Sequence, residues 1–255
     1  AKRTTMKTLF LAWQNPLNRT WFPIGRLIFD GINYQFYYIQ GILAAQQQCG
    51  LMSLPSFPEL DLVYRSPELF PLFANRLLRR SRPDYADFLR WLNIPSDRDN
   101  PMAMLAKSGG QRATDTLFVF PYPEADENGF YHFHFFAGEL LNLSPLTASR
   151  ISRLQTGELL RLVGDSQNPH DRGALMLSTE DDYLVGYCPP YLLDLGLDLS
   201  HQSLSLIDVV VERINMPPAP LQFRLLCHLR VQMPQDLHPF LGTMYQPLSA
   251  LNAAA

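Results

Sequence analysis

His132 and His134 alternate with Tyr131, Phe133 and Phe135, so on a strand both imidazoles face one side. Such a pair can ligate a metal, but no third His, Cys or carboxylate stands at a diagnostic spacing, and zinc sites take three or four protein ligands. No metal is expected. A second group is the run Leu159-Leu160-Arg161-Leu162-Val163, Asn168-Pro169-His170-Asp171, Ala174-Leu175, then Leu184-Val185-Gly186-Tyr187 and Pro189. Here a strand enters a tight turn in which Asn168 can close a side-chain turn, Pro169 fixes φ and Asp171 can cap backbone N–H groups. Gly186 allows close backbone approach before Pro189 ends the next strand. Tyr187, His170 and Phe136 present rings on which bases can stack; equally, Asn168 and Asp171 can serve the turn and Tyr187 the core. A third group is Arg76, Arg79, Arg80 and Arg82. On a continuing helix the first three share a face, where they can grip phosphates, pair with acidic groups or simply be solvated at a helix end.

Other catalytic templates are missing. The sequence contains no Gly-x-Ser-x-Gly elbow, no His-Glu-x-x-His helix and no glycine-rich phosphate loop. Cys49, Cys188 and Cys227 lie far apart, so neither a disulfide framework nor a zinc site is encoded and they read as small core residues. No cofactor is expected.

The elements that would position these groups are mostly strands. Thr8 to Trp13, Pro23 to Phe29 and Tyr34 to Ile39 alternate with turns and read as a small antiparallel sheet. A proline-interrupted crossing follows, then two short helices between Glu68 and Leu92. Residues 95 to 129 read as a connector rich in Pro and Gly, with a helix near Pro101 to Lys107 ending at Gly109. Beyond it come a strand at Gly129 to Ala137, a helix at Pro145 to Leu154, and strands at Glu158 to Gly164, Gly173 to Ser178, Tyr183 to Tyr187, Ser205 to Asn215 and Leu221 to Met233. The last sets Phe223, Leu225, Cys227, Leu229 and Val231 on one face against Arg224, His228 and Arg230. The expected class is α+β in two small modules: an amino-terminal β-sheet with helices (1–95), a connector (96–128), and a carboxyl-terminal small β-barrel or rolled sheet (129–255), since closure protects strand edges.

With 255 residues, 47% hydrophobic and 18% charged, the chain can bury two modest cores. No apolar run reaches the roughly 18 residues of a membrane span, and no signal-type stretch follows the first residues, so the chain reads as cytoplasmic with no membrane partner. Net charge is −3, yet residues 1–95 hold 11 Lys or Arg against 6 Asp or Glu, while residues 96–255 hold 10 against 18. Such asymmetry marks either a nucleic-acid face on the basic half or an ordinary solvated surface.

The Asn168-Pro169-His170-Asp171 turn with the downstream Gly186-Tyr187-Cys188-Pro189 segment resembles the signature of the HIRAN domain. That resemblance implies a modified small β-barrel that binds single-stranded DNA, with a pocket around the exposed 3′ end. Carried over, Asn168, His170 and Asp171 stand at the pocket turn, His170 where the family often has Tyr, and Tyr187 holds the position often occupied by His. Asp171 would accept a hydrogen bond from a terminal hydroxyl, Phe136 would add a stacking face, and Arg150, Arg153, Arg161 and Arg172 would supply a local cationic patch. Residues 8 to 95, through Pro23-Ile24-Gly25-Arg26-Leu27, Phe36-Tyr37-Tyr38, Met52-Ser53-Leu54-Pro55 and Leu69 to Leu77, resemble the amino-terminal subdomain of HipA-type toxin kinases. No kinase core follows. The two resemblances together imply a noncatalytic DNA-binding protein of bacterial type that takes single-stranded or 3′-ended DNA, with Arg76, Arg79 and Arg80 as further phosphate contacts. The alternative is a regulatory subunit that docks on a protein partner through residues 8–95.

Overall fold

The computed structural model describes residues 7–164, 174–195, 207–234 and 237–248. The chain is α+β, with two antiparallel sheets, one curled as a half-barrel. It divides into two compact units, one of residues 1–85, 98–122 and 240–255, the other of residues 86–97 and 123–239.

In the first unit β1 (Lys7–Gln14), β2 (Trp21–Phe29), β3 (Tyr34–Tyr38), β4 (Tyr64–Ser66) and β5 (Leu117–Pro121) form a sheet in the order β4-β3-β2-β1-β5. The strands read as near-continuous apolar runs because both faces are covered. Leu9, Leu11, Leu27 and Phe36 pack with Ile42 and Ala45 of α1 (Gly41–Cys49), Phe73 of α2 (Pro71–Ala74), and Met102 and Leu105 of a helix at Pro101–Ser108. On the opposite face the Phe10 ring meets those of Phe120, Phe240 and Tyr245 at 5.1–5.9 Å. Pro23 is tolerated in a central strand because β2 is bulged there: Leu11 pairs with Gly25 and Ala12 with Pro23, so Ile24 is unopposed where the ladder is already broken. Tyr38 fixes the proline-interrupted crossing. Its hydroxyl donates to the Phe57 carbonyl at 2.7 Å and accepts from the Leu54 N–H at 2.8 Å, and burial pushes its pKa up to about 12.

The second unit includes most of α3 (Tyr85–Trp91), while the Pro101–Ser108 helix, α4, lies in the first. Its sheet is built from β6 (Phe130–Phe136), β7 (Leu159–Gly164), β8 (Leu175–Ser178), β9 (Leu184–Tyr187), β10 (Ile207–Ile214) and β11 (Leu225–Gln232), in the order β6-β11-β10-β7-β8-β9. Strict alternation returns here. Tyr131, Phe133 and Phe135 are buried with Leu225, Cys227, Leu229, Val231, Val209 and Val211, while His132, His134 and His228 lie on the other face. α5 (Pro145–Ser152) begins with Pro145 and is capped by Ser144, whose side chain accepts from the Thr147 N–H at 3.1 Å. The two ends of the sheet meet: Gly138, just past β6, and Tyr187, the last residue of β9, exchange backbone hydrogen bonds of 2.9 and 3.1 Å.

Three expectations change. Residues 96–128 are not a connector, because Leu117 to Pro121 pair with Trp13 to Leu9 as β5 and tie 98–122 to the first unit. Residues 240–248 also belong to the first unit, with Gln40 N–H donating to Gln246 O at 2.9 Å. The helix around Leu69 to Leu77 stops at Ala74, so Arg76, Arg79 and Arg80 do not share a helical face. Among the described residues no helix is long and apolar enough to cross a membrane.

Candidate nucleic-acid interface

Register places Gly164, Leu175 and Tyr187 at one end of the second sheet. Gly164 pairs with Leu175, Val163 with Met176, and Met176 with Tyr187. Gly164 and Leu175, which flank residues 165–173, therefore lie at the end of the sheet where Tyr187 stands. Tyr187 is partly exposed there. Asn168, His170, Asp171 and Arg172 lie outside the described residues. Gly186 makes the seam possible: its φ is +143°, and a Cβ would sit 2.9 Å from Ala137 Cβ and 3.1 Å from Gly138 O. Phe136, two residues from the seam, is partly exposed, but its ring packs edge-on against Phe223 at 5.2 Å. Phe223 in turn meets Phe88 and stacks on Trp91. Phe136 thus presents only part of its ring.

The arginines expected to hold phosphates are largely engaged elsewhere. Arg161 Nη2 donates to Thr179 O at 3.0 Å, Glu180 O at 3.2 Å and Asp182 Oδ1 at 2.5 Å, clamping the turn between β8 and β9. Arg150 pairs with Glu158 and with Asp181, the latter at 2.9 Å. These carboxylates hold the Arg150 guanidinium well above its ordinary range, and Arg150 with the Thr179 hydroxyl holds the Asp181 carboxyl well below its own. In the first unit Arg76 is a structural residue: its side chain is 1% exposed, it forks onto Asp115 at 2.7 and 3.1 Å, and it donates to Gly110 O and Leu72 O. Arg80 pairs with Asp99 at 2.9 Å. Arg79 is exposed and forms no ion pair among the described residues. Short side-chain reach cannot be read from spacing, so the acidic partners in distant segments were invisible.

The outer face of β6, β11 and β10 holds a cluster of ionisable side chains. His132 Nδ1 lies 2.8 Å from His228 Nε2, and His132 Nε2 lies 2.8 Å from Asp126 Oδ2. The His228 ring is parallel to that of His134 at 4.5 Å, and His134 Nδ1 lies 2.6 Å from Glu212 Oε2. Glu212 is the unopposed residue of a bulge, since Val211 pairs with Cys227 and Arg213 with Leu226; a bulge re-aims its side chain. Asn93 Nδ2 donates to the other oxygen of Glu212 at 2.9 Å. Sequence reasoning found the His132 and His134 pair but not its third imidazole. The signal was the polar face of β11, yet only the observed pairing of His228 with His134 joins the two. Among the described residues no three such donors are placed to hold a metal ion.

Burial raises the thiols of Cys188 and Cys227, which keeps them protonated and poor as nucleophiles. For Asp115, burial pushes the carboxyl up, but the Arg76 hydrogen bonds, the Leu117 N–H and nearby cations leave it below its usual value. Asp126 is lowered by His132 and by the Phe130 and Asn128 N–H groups. A carboxyl that binds protons less readily when folded adds stability above its unfolded value and loses it as pH falls. With unfolded values near 3.9, the urea midpoint should be insensitive to these groups above about pH 5 and should drop below about pH 4; a midpoint that rises there contradicts the pairing. No protein family, curated protein or solved structure matches the chain.

Proposed function

We propose that the chain is a noncatalytic DNA-binding protein whose second unit receives single-stranded DNA, or its 3′ end, at the seam where β9 returns to β6. The observation that carries this reading is the shared sheet end: Tyr187 stands level with Met176 and Val163, beside the exit of the segment that contains Asn168, His170 and Asp171. The HIRAN-like spacing of those residues supports the same reading. The Tyr187 ring supplies a stacking face, and stacking is worth about 1–3 kcal/mol per base without regard to sequence. Asp171 accepts from a terminal hydroxyl, which favours a free end over a blocked one.

Because Arg150 and Arg161 are held by carboxylates, few phosphates are neutralised and counterion release is small. Each neutralised phosphate of a single strand contributes a slope of about −0.7 in log K against log salt, so a total no steeper than about −2 is expected. A binding titration of short single strands with free and 3′-blocked ends, run across salt, checks both points. Tighter binding of the free end with a shallow slope supports the pocket; equal binding of both ends with a slope steeper than about −4 indicates a charge-driven surface instead.

A second reading rests on the first unit, where Leu17, Ile32 and Met52 are 90%, 76% and 73% exposed. Such side chains suit a protein partner docking through residues 8–95. A stable partner recovered with no measurable DNA affinity favours it.

A further inference from the structure

Division of the chain into its two units sharpens the charge asymmetry seen along the sequence. The first unit holds 13 Lys or Arg against 7 Asp or Glu, the second 8 against 17. Most of the first unit's surplus falls in Lys7 and the segments 76–85 and 98–115, which together carry eight cations against Asp84, Asp99 and Asp115. Each of those carboxylates is taken by one arginine: Arg82 holds Asp84 at 2.8 Å, Arg80 holds Asp99 at 2.9 Å and Arg76 holds Asp115 at 2.7 Å. Lys7, Arg79, Arg98 and Arg112 are exposed and form no ion pair among the described residues. The fold gathers them around the start of α4. Lys7 Nζ donates to Asn100 Oδ1 at 3.4 Å, Arg80 Nη2 donates to Asp99 O at 3.2 Å, and the Arg98 carbonyl accepts from the Asn100 N–H at 2.9 Å. Arg79 adjoins Arg80, and its carbonyl closes a turn with the Arg82 N–H at 3.0 Å. Arg112 lies close enough to Asp115 to help lower its carboxyl, while Arg76 ties that stretch to the others by donating to Gly110 O at 2.8 Å.

We propose that Lys7, Arg79, Arg98 and Arg112 form a contact for the phosphate backbone of duplex DNA on the first unit, separate from the seam of the second and not resting on that reading. Phosphate contacts position a protein on DNA and carry no sequence information, so the contact takes any duplex. Among the described residues from 63 to 140 no large apolar side chain is exposed, so this surface lacks the apolar centre that a protein interface buries. Three of the four cations are arginine, whose guanidinium forks onto phosphate oxygens. A duplex carries one charge per about 1.7 Å of its axis, against about 3.4 Å for one of its strands. Cations held at separate points therefore meet phosphates together on a duplex more readily than on a short single strand.

A labelled blunt duplex with both 3′ ends blocked, titrated with the full chain across salt, tests this contact, because it offers nothing to a receptor for free 3′ ends. The parent should bind with a slope in log K against log salt of about −3 to −4. The Arg79→Ala, Arg98→Ala, Arg112→Ala triple variant, with its urea midpoint near the parent's, should bind at least tenfold more weakly at low salt, with a slope shallower by about 2.7. The Asp171→Ala, Tyr187→Ala double variant should bind this duplex as the parent does, so a failure of the seam reading leaves the result untouched. A parent that does not bind the duplex, a folded triple variant that binds it unchanged, or a double variant that loses it overturns the proposal. So does equal affinity of the parent for phosphatidylserine vesicles or for polyglutamate. If the triple variant does not fold, the parent's slope decides, and one shallower than about −2 overturns it.

Discussion

Gly186→Ala is expected to cost about 3 kcal/mol of stability, far more than alanine at a glycine strained only by its backbone. Two effects add. A φ of +143° is strained for any residue with a Cβ, and the new methyl group would press on Ala137 Cβ at 2.9 Å and Gly138 O at 3.1 Å. Ala137 is 2% exposed and cannot move into solvent. Gly129 provides the control, because it has φ +82° with nothing within 4 Å of a Cβ; Gly129→Ala should cost about 1 kcal/mol from conformation alone. Urea unfolding of the two variants separates crowding at the seam from backbone strain. Equal losses would mean that the Gly138 and Tyr187 bridge does not need the glycine.

Arg76→Ala should lose about 3 kcal/mol as well, with no change in DNA affinity while the protein is folded. The truncation leaves Asp115 without its forked partner and strips donors from Gly110 O and Leu72 O. Breaking a buried pair costs about 3–5 kcal/mol; the lower end applies because the Asp115 side chain is 32% exposed. Arg76→Lys should recover little, since an ammonium cannot reproduce the fork. Urea midpoints measured beside oligonucleotide affinity check both halves of the statement. A stable variant with weakened DNA binding would return Arg76 to the phosphate-binding surface.

Periodicity made most of the second unit legible. The alternation in Phe130 to Phe136 and Leu225 to Gln232 leaves one strand orientation that buries the apolar set, and both strands form, but the strand expected from Leu221 begins only at Leu225, because Leu221–Phe223 turns as a short 3-10 helix and Phe223 is not on the strand face. Gly109 ends α4 with φ +73° as its position foretold. Less legible were elements without amphipathic contrast. α1 carries Gly-Ile-Leu-Ala-Ala-Gln-Gln-Gln-Cys, whose signal lies only in helix-forming Ala and Gln and in the left-handed Gly50 that stops it. β5 is a short buried run that becomes a strand because β1, about a hundred residues earlier, offers its edge. The candidate site shows the same division. Gly186 could be read from its place before Pro189, whereas the engagement of Arg161 with Asp182, of Arg150 with Asp181 and of His228 with His132 depends on register. Helical spacing with Arg79 and Arg80 made Arg76 look available, and only the position of Asp115 shows that it is not.

Fluorescence anisotropy of a short labelled single strand, titrated with the parent and with the Asp171→Ala, Tyr187→Ala double variant, bears most directly on the seam as a DNA-end receptor. The parent should bind saturably, and the double variant, with its urea midpoint near the parent's, should bind at least tenfold more weakly, a loss of about 1.4 kcal/mol. A folded double variant that binds the strand as tightly as the parent would contradict the assignment.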